Sequence, residues 1–168
     1  DKVGAEGAVT GIDVSTPMLG RARERAAGRE NLTFVEADAQ THAFPAGTYD
    51  ILFSRFGVMF FHDPAAAFAN LHAACRPGAR MVAITWREPR DNPWVMIPVS
   101  SVKEFVELPP RAAPGEPGQF QWADPVQVDA WLGAAGWRDV RCEPLDLQLA
   151  FPGPPAEVAH YLLQMGPA

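Results

Sequence analysis

Residues 8–15 read Ala-Val-Thr-Gly-Ile-Asp-Val-Ser, and the reading of the fold starts from them. Ala8 to Val14 is a short, apolar, β-branched run of the kind that forms a buried strand. Thr16-Pro17 then reads as a helix N-cap with proline at the first helical position. Met18, Ala22 and Ala26 recur at i, i+4 and i+8 as one apolar helical face, and Gly28 can end the helix. An acid, Asp13, stands where the strand gives way to the helix.

The pattern repeats outward from this unit. Leu32 to Glu36 is a second strand, Tyr49 to Ser54 a third and Met81 to Thr85 a fourth. Asp63-Pro64 caps a helix whose Phe68, Leu71 and Cys75 face the core, stopped by Pro77-Gly78. Strands alternating with helices of this length predict an α/β fold with a parallel sheet and right-handed crossovers. The pattern then loosens. Asn92-Pro93 starts another helix, which Pro98 should break or kink before Val102, Phe105 and Val106. Leu108 to Gly118 holds four prolines and two glycines and reads as a loop or lid. Asp124-Pro125 restarts order, with Val128, Trp131, Leu132 and Ala135 on one face and Gly136 after it. Leu145, Leu147, Leu149 and Phe151 alternate with polar or small residues as a strand with one wet face. A last helix runs from Pro155 to Met165.

Composition narrows the function. The 168 residues suit one domain. A net charge of −6 argues against nucleic acid, which needs a basic face. The longest apolar run, Phe56 to Phe61, falls far short of the roughly 20 residues that a membrane span needs. Cys75 and Cys142 stand singly, with no His or Cys at ligand spacing. No metal site is therefore expected, and a reducing cytoplasm fits.

In an open α/β sheet, ligands sit beyond the carboxyl ends of the strands. Asp13 stands at such an end, where it either accepts hydrogen bonds from two ribose hydroxyls or merely helps to cap the next helix. Asp38, in Glu36-Ala37-Asp38-Ala39, closes the following strand with another carboxylate. Two successive strands ending in acids suit a nucleoside, one for the sugar and one for an adenine amino group; Asp38 as a solvated loop residue is the alternative.

The stretches VTGIDVSTPML, FVEADAQ, YDILFSRFGVMFFHDPAAAFANLHAACRPGARMVAITWR and NPW together resemble class I S-adenosylmethionine-dependent methyltransferases. The group most similar is that of ubiquinone/menaquinone biosynthesis. The resemblance covers residues 3 to about 107 well and 124 to 166 more loosely. It implies S-adenosyl-L-methionine as cofactor and a small-molecule acceptor as partner. Asp13 would bind the ribose, with Val14 among the cofactor contacts and Met18 packed on the adenine. Asp38 would take the adenine N6, with the Ala39 N–H nearby. Ser54, Arg55 and Phe56 would run past the methionine part. Phe60, His62, Trp86 and Trp94 would lie toward the acceptor. His62 is the one candidate base, against a simpler role in the turn before Asp63; His42, His72 and His160 read as surface or packing residues. Trp131 and Trp137 read as core, whereas Trp94 and Trp122 flank the lid.

The resemblance also implies a Rossmann-like, mostly parallel sheet of seven strands in the order 3-2-1-4-5-7-6. Its most diagnostic feature, a first strand running into a glycine-rich loop, is not found in residues 1–168. Asp1 is not a methionine, and the sequence reads as a single-domain fragment of a longer product, lacking the first and last strands. Residues 1–107 would form the cofactor-binding part, 108–123 the lid, and 124–168 a helix-strand-helix part. Both missing strands are interior, and each buried backbone group left unpaired costs about 1–3 kcal/mol. The chain alone is therefore expected to be incompetent, with a gap or non-native pairing beside Tyr49–Ser54.

Methyl transfer to a small acceptor is the leading expectation, and the Phe56, Met59, Phe60, Phe61 cluster favours an apolar or aromatic one. A non-catalytic, methyltransferase-like binding protein is the alternative that the missing glycine loop permits. A nicotinamide-dependent oxidoreductase ranks lower, because the two tyrosines and two lysines never fall in a Tyr-x-x-x-Lys spacing.

Overall fold

A computed structural model describes residues 3–4, 6–108, 110, 113, 115–148, 150 and 153–162. Four strands form in the order expected: β1 (Val9–Asp13), β2 (Leu32–Glu36), β3 (Tyr49–Arg55) and β4 (Cys75–Ile84). Helix α1 (Thr16–Arg25) joins β1 to β2, and α2 (Pro64–Ala74) joins β3 to β4. β1 pairs with β2 in parallel, in the register Val9 with Leu32 through Asp13 with Glu36. β3 pairs with β4 in parallel, with Leu52 opposite Met81 and Arg55 opposite Ile84.

Among the described residues these pairs form two separate two-stranded sheets. β1 and β3 do not pair, so the expected interruption lies beside Tyr49–Ser54. One face of the β3–β4 sheet is open: Ile51 is 64% and Phe53 65% exposed.

The opposite face meets the core. Phe68 on α2 is fully buried and packs with Leu71, Met59, Val58, Val128 and Leu132, with Leu52, Met81 and Ala83 of the sheet against them. Val128 and Leu132 come from α4 (Pro125–Ala134), which packs on α2. Its cap is as expected, with Asp124 accepting from the Val126 N–H at 2.9 Å. Trp137 donates its indole N–H to the Phe68 carbonyl at 3.2 Å and sets its ring edge-on to His72. Gly136 turns the chain there at φ +98, and an added Cβ would stand 3.1 Å from the His72 ring. Trp137 is thus core, as expected, and Trp131 packs against it half-buried. Trp122, read as flanking a lid, is also core, its ring centroid 5.0 Å from that of Phe68.

Several expectations are corrected. The cap of α1 is Ser15, not Thr16; its hydroxyl accepts from the Met18 N–H at 3.4 Å. Leu19 is the residue of α1 buried against the sheet, with Ala22 and Ala26 of the expected face half-buried beside it, while Met18 is 65% exposed. β4 begins at Cys75, not Met81, because the chain enters the ladder directly from α2, with an irregularity between Tyr49 and Ile51. Pro98 does not break α3 (Pro93–Val102). The helix keeps hydrogen bonds on both sides of it, from Met96 N–H to Asn92 at 3.1 Å and from Lys103 N–H to Val99 at 3.2 Å. Val102, Phe105 and Val106, beyond Pro98, are exposed, Phe105 at 83%.

The strand expected at Leu145–Phe151 does not form within the described residues. Leu145 and Leu147 are exposed with no ladder beside them, and alternation alone does not hold a strand without a partner. Leu149 and Phe151 lie outside the described residues. The last helix, α5, is Pro155–Leu162; the expected extension to Met165 also lies outside them. Among the described residues no helix is long and apolar enough to cross a membrane.

Candidate functional site

Parallel pairing puts the carboxyl ends of β1 and β2 on one edge. The Asp13 carbonyl accepts from the Ala37 N–H at 3.1 Å, which locks the two strand exits together. The Asp13 side chain accepts from the Ser15 N–H at 2.8 Å, closing a turn over its own strand end. The Asp38 side chain does the same for the Gln40 N–H at 2.8 Å. Each carboxylate spends one oxygen on its turn and leaves the other uncommitted. Capping of α1 falls to Ser15 and not to Asp13. Thr16 donates to Glu36 at 2.7 Å across the same edge. Val14 and Met18 stand beside it, 70% and 65% exposed.

The loop that carries Asp38 is held from α2, by a residue that the sequence reading missed. Asn70 donates to the carbonyls of Ala39, Gln40 and His42 at 3.1, 3.3 and 3.0 Å. Gln40 in turn accepts from the Asp63 N–H at 3.0 Å, and Asp63 caps α2 by accepting from the Ala66 N–H at 3.0 Å. His62 is exposed, in the bend immediately ahead of Asp63.

The exits of β3 and β4 form a second group. Ser54 is half-buried and Arg55 exposed. Phe56 follows with φ +60, a left-handed conformation unusual for a bulky residue, and donates its N–H to the Ile84 carbonyl at 2.9 Å. Its ring stacks on Trp86, centroids 4.6 Å apart and planes 11° apart. Trp94 lies against Trp86 with a centroid distance of 5.0 Å. Phe60 is 56% exposed, on the single turn Val58–Phe60. The Pro/Gly-rich segment is tied down in part: Gly118 donates its N–H to Met59 at 2.9 Å, and buried Gln121 donates to Phe61 at 2.8 Å and to Gly115 at 3.0 Å. Gln121 was also missed, since a side chain bridging to Phe61, sixty residues away, leaves no local pattern.

A wide cleft of about 2160 Å³ runs from Phe56, Trp86 and Trp94 along β4 to residues 138–147. It exceeds the roughly 300–1,000 Å³ of a formed ligand pocket, and neither Asp13 nor Asp38 lines it. The exits of β3 and β4 open into this cleft, whereas the two carboxylates stand at the exits of β1 and β2 outside it. Burial pushes the Cys75 thiol up, and burial together with Asp129 pushes up that of Cys142. Neither cysteine sits with a base. No group of three or more acidic, His or Cys residues suited to a metal ion occurs among the described residues.

Residues 2–83 match a family model described as a methyltransferase domain. The aklanonic acid methyltransferase DauC of Streptomyces sp. strain C5 is 32% identical over 114 residues, which are 67% of this chain and 50% of that protein. The demethylmenaquinone methyltransferase of Thermus thermophilus is 38% identical over 87 residues, 51% of this chain and 39% of that one. The chain thus spans about half, or less, of the length of these relatives. Among solved structures, an S-adenosylmethionine-dependent methyltransferase from Aquifex aeolicus superposes with a TM-score of 0.57 at 23% identity, covering 83% of this chain and 63% of the other. That likeness concerns the fold: a Rossmann-like α/β architecture with parallel strands.

Proposed function

The chain belongs to the class I S-adenosylmethionine-dependent methyltransferases, and from that premise we propose that it serves methyl transfer from S-adenosyl-L-methionine to a small apolar or aromatic acceptor. One observation carries the reading: Asp13 and Asp38 leave consecutive, parallel-paired strands at the same edge, each with a carboxylate oxygen to spare. These acceptors fit the donors of a nucleoside. Asp13 accepts from the ribose hydroxyls, Asp38 from the adenine amino group, and the Ala39 N–H lies beside the base. Val14 and Met18 supply apolar surface at that edge for the flat ring.

The cofactor brings an electrophilic methyl group on a sulfonium; the protein's part is to position and to exclude water. Ser54, Arg55 and Phe56 line the way past the methionine portion. Phe60, His62, Trp86 and Trp94 face the acceptor, and residues 108–123 cover it. A base matters only where the acceptor must lose a proton. His62 is the candidate, although its exposed place before Asp63 equally suits a turn. Residues 1–107 form the cofactor part in this reading, and 124–168 support the acceptor side. The two unpaired cysteines fit a reducing compartment such as the cytoplasm.

The interrupted sheet favours a second reading for the chain taken alone, in which it binds without turning over. β1 and β3 belong to different sheets, so the adenosine edge and the acceptor edge are not locked together by backbone pairing. A titration followed by a turnover assay separates the two readings. S-adenosylhomocysteine is expected to give measurable heat at micromolar concentrations. No heat at high micromolar ligand contradicts both readings; binding without methyl transfer to any aromatic acceptor favours the second.

A further inference from the structure

We infer that the groove between α1 and β2 is a separate binding site for an apolar chain that ends in a carboxylate, with a row of arginines taking the acid. The inference goes beyond the methyl-transfer reading and does not rest on it. Neither Asp13 nor Asp38 lines this groove, and of the cofactor contacts named above only Met18 does.

Charge is spread unevenly along this acidic chain. Residues 21–29 carry four arginines against one acid, although the net charge of the whole sequence is −6. Arg23 stands outside the groove and donates to the Phe34 carbonyl at 3.3 Å. The other three, Arg21, Arg25 and Arg29, recur at i, i+4 and i+8 and line it together. Arg21 pairs with Glu24 at 2.7 Å, both side chains 67% exposed and so screened by water. Among the described residues Arg25 and Arg29 make no ion pair. Helix stability does not explain the row. A helix C-terminus favours cations in its last turn, here Arg23 and Arg25, which leaves Arg21 and the alignment with Arg29 unaccounted for. Like charges at i, i+4 also weaken a helix.

The floor under the row is apolar. Ala22 and Ala26 of α1 and Leu32 and Phe34 of β2 line it, each of them half-buried. Phe34 stands opposite Gly11 in the β1–β2 register, and a Cβ added to Gly11 would come 3.0 Å from its ring. The glycine leaves the ring its place, so this wall is already formed. The groove encloses about 340 Å³, within the roughly 300–1,000 Å³ of small-molecule sites. From Met18 to Ala26 it follows α1 for about 12 Å at 1.5 Å per residue, an elongated shape that suits a chain. An added peptide strand suits it less, because Arg23 already holds the Phe34 carbonyl that such a strand would need.

Each half of the ligand answers one half of the groove. An apolar chain covers the floor and takes it from water. A carboxylate meets Arg25 and Arg29, whose planar forks match its two oxygens. An alcohol of the same length covers the floor but leaves the arginines to solvent; a bare carboxylate meets the arginines and leaves the floor wet.

The test titrates octanoate, octan-1-ol and acetate into the whole chain, labelled with ¹⁵N at its backbone amides. Octanoate should move the Phe34 and Arg25 resonances and bind about tenfold more tightly than octan-1-ol, with acetate weaker than octanoate by at least as much. In the double variant Arg25→Gln/Arg29→Gln, whose changes fall on exposed residues, the preference for octanoate over octan-1-ol should vanish. Equal affinity of the wild type for octanoate and octan-1-ol overturns the inference, as does acetate binding as tightly as octanoate or a preference that survives in the variant. So does octanoate that leaves Phe34 unmoved, a readout that does not depend on the variant folding. Phosphatidylglycerol vesicles form the last arm. Sedimentation of the chain with them, while free octanoate moves nothing, would assign the groove to a lipid surface and equally overturns the inference.

Discussion

Phe68→Ala should lower the stability of this chain by about 3–5 kcal/mol, the range for removing a fully buried phenylalanine. Phe68 is completely buried, and its ring meets Phe61 edge-on at 5.6 Å and Trp122 at 5.0 Å. Its carbonyl receives the Trp137 indole N–H, so the residue ties α2 to the segment after α4 through side chain and backbone together. The loss is large beside the roughly 5–15 kcal/mol of an ordinary domain. Urea denaturation followed by tryptophan fluorescence will show it as a large drop in midpoint at unchanged slope. A loss below about 1 kcal/mol would mean that the helix pair does not hold the molecule together.

Asn70→Ala should act on stability and binding together. The change strips donors from three backbone carbonyls, those of Ala39, Gln40 and His42, and leaves them to water. At about 1 kcal/mol for each bond, with partial rescue by solvent, the expected loss is about 2–3 kcal/mol. The loop so released carries Asp38, so affinity for S-adenosylhomocysteine should fall as well. Asn70→Asp should cost at least as much, because it keeps the shape but turns the donor into an acceptor facing carbonyls. Calorimetric titration and thermal melting of both variants provide the check. Unchanged melting in both would remove Asn70 from the site's support.

The legible part of the fold is the part with local causes. Leu32–Glu36 was readable to the residue, because an apolar β-branched run bounded by polar ends has few other uses. Asp63-Pro64 and Asp124-Pro125 announced two helices, since an acceptor side chain followed by proline and an apolar periodic run suits a helix start. The two acids at this edge were legible as strand-end carboxylates, Asp13 closing β1 and Asp38 standing two residues beyond β2. What misled the reading was context. Pro98 looked like a breaker, but the helix around it keeps its bonds on both sides. Leu145 and Leu147 alternate correctly for a strand, yet pairing comes from a neighbour and not from alternation. Ala22 and Ala26 keep to the inner face of α1, but Leu19 and not Met18 completes it, since i, i+3 and i+7 share a helical face as readily as i, i+4 and i+8. Asn70 and Gln121 could not be found at all, since each works by reaching carbonyls that sequence distance hides.

The central claim is that the exits of β1 and β2 form a nucleoside grip. The most direct measurement is calorimetric titration of S-adenosylhomocysteine into the wild-type chain, Asp13→Asn and Asp38→Asn. The account predicts binding by the wild type, weakened about tenfold or more in each variant, with melting temperatures little changed because both carboxylates lie at exposed strand ends. Binding equally strong in all three proteins would contradict it.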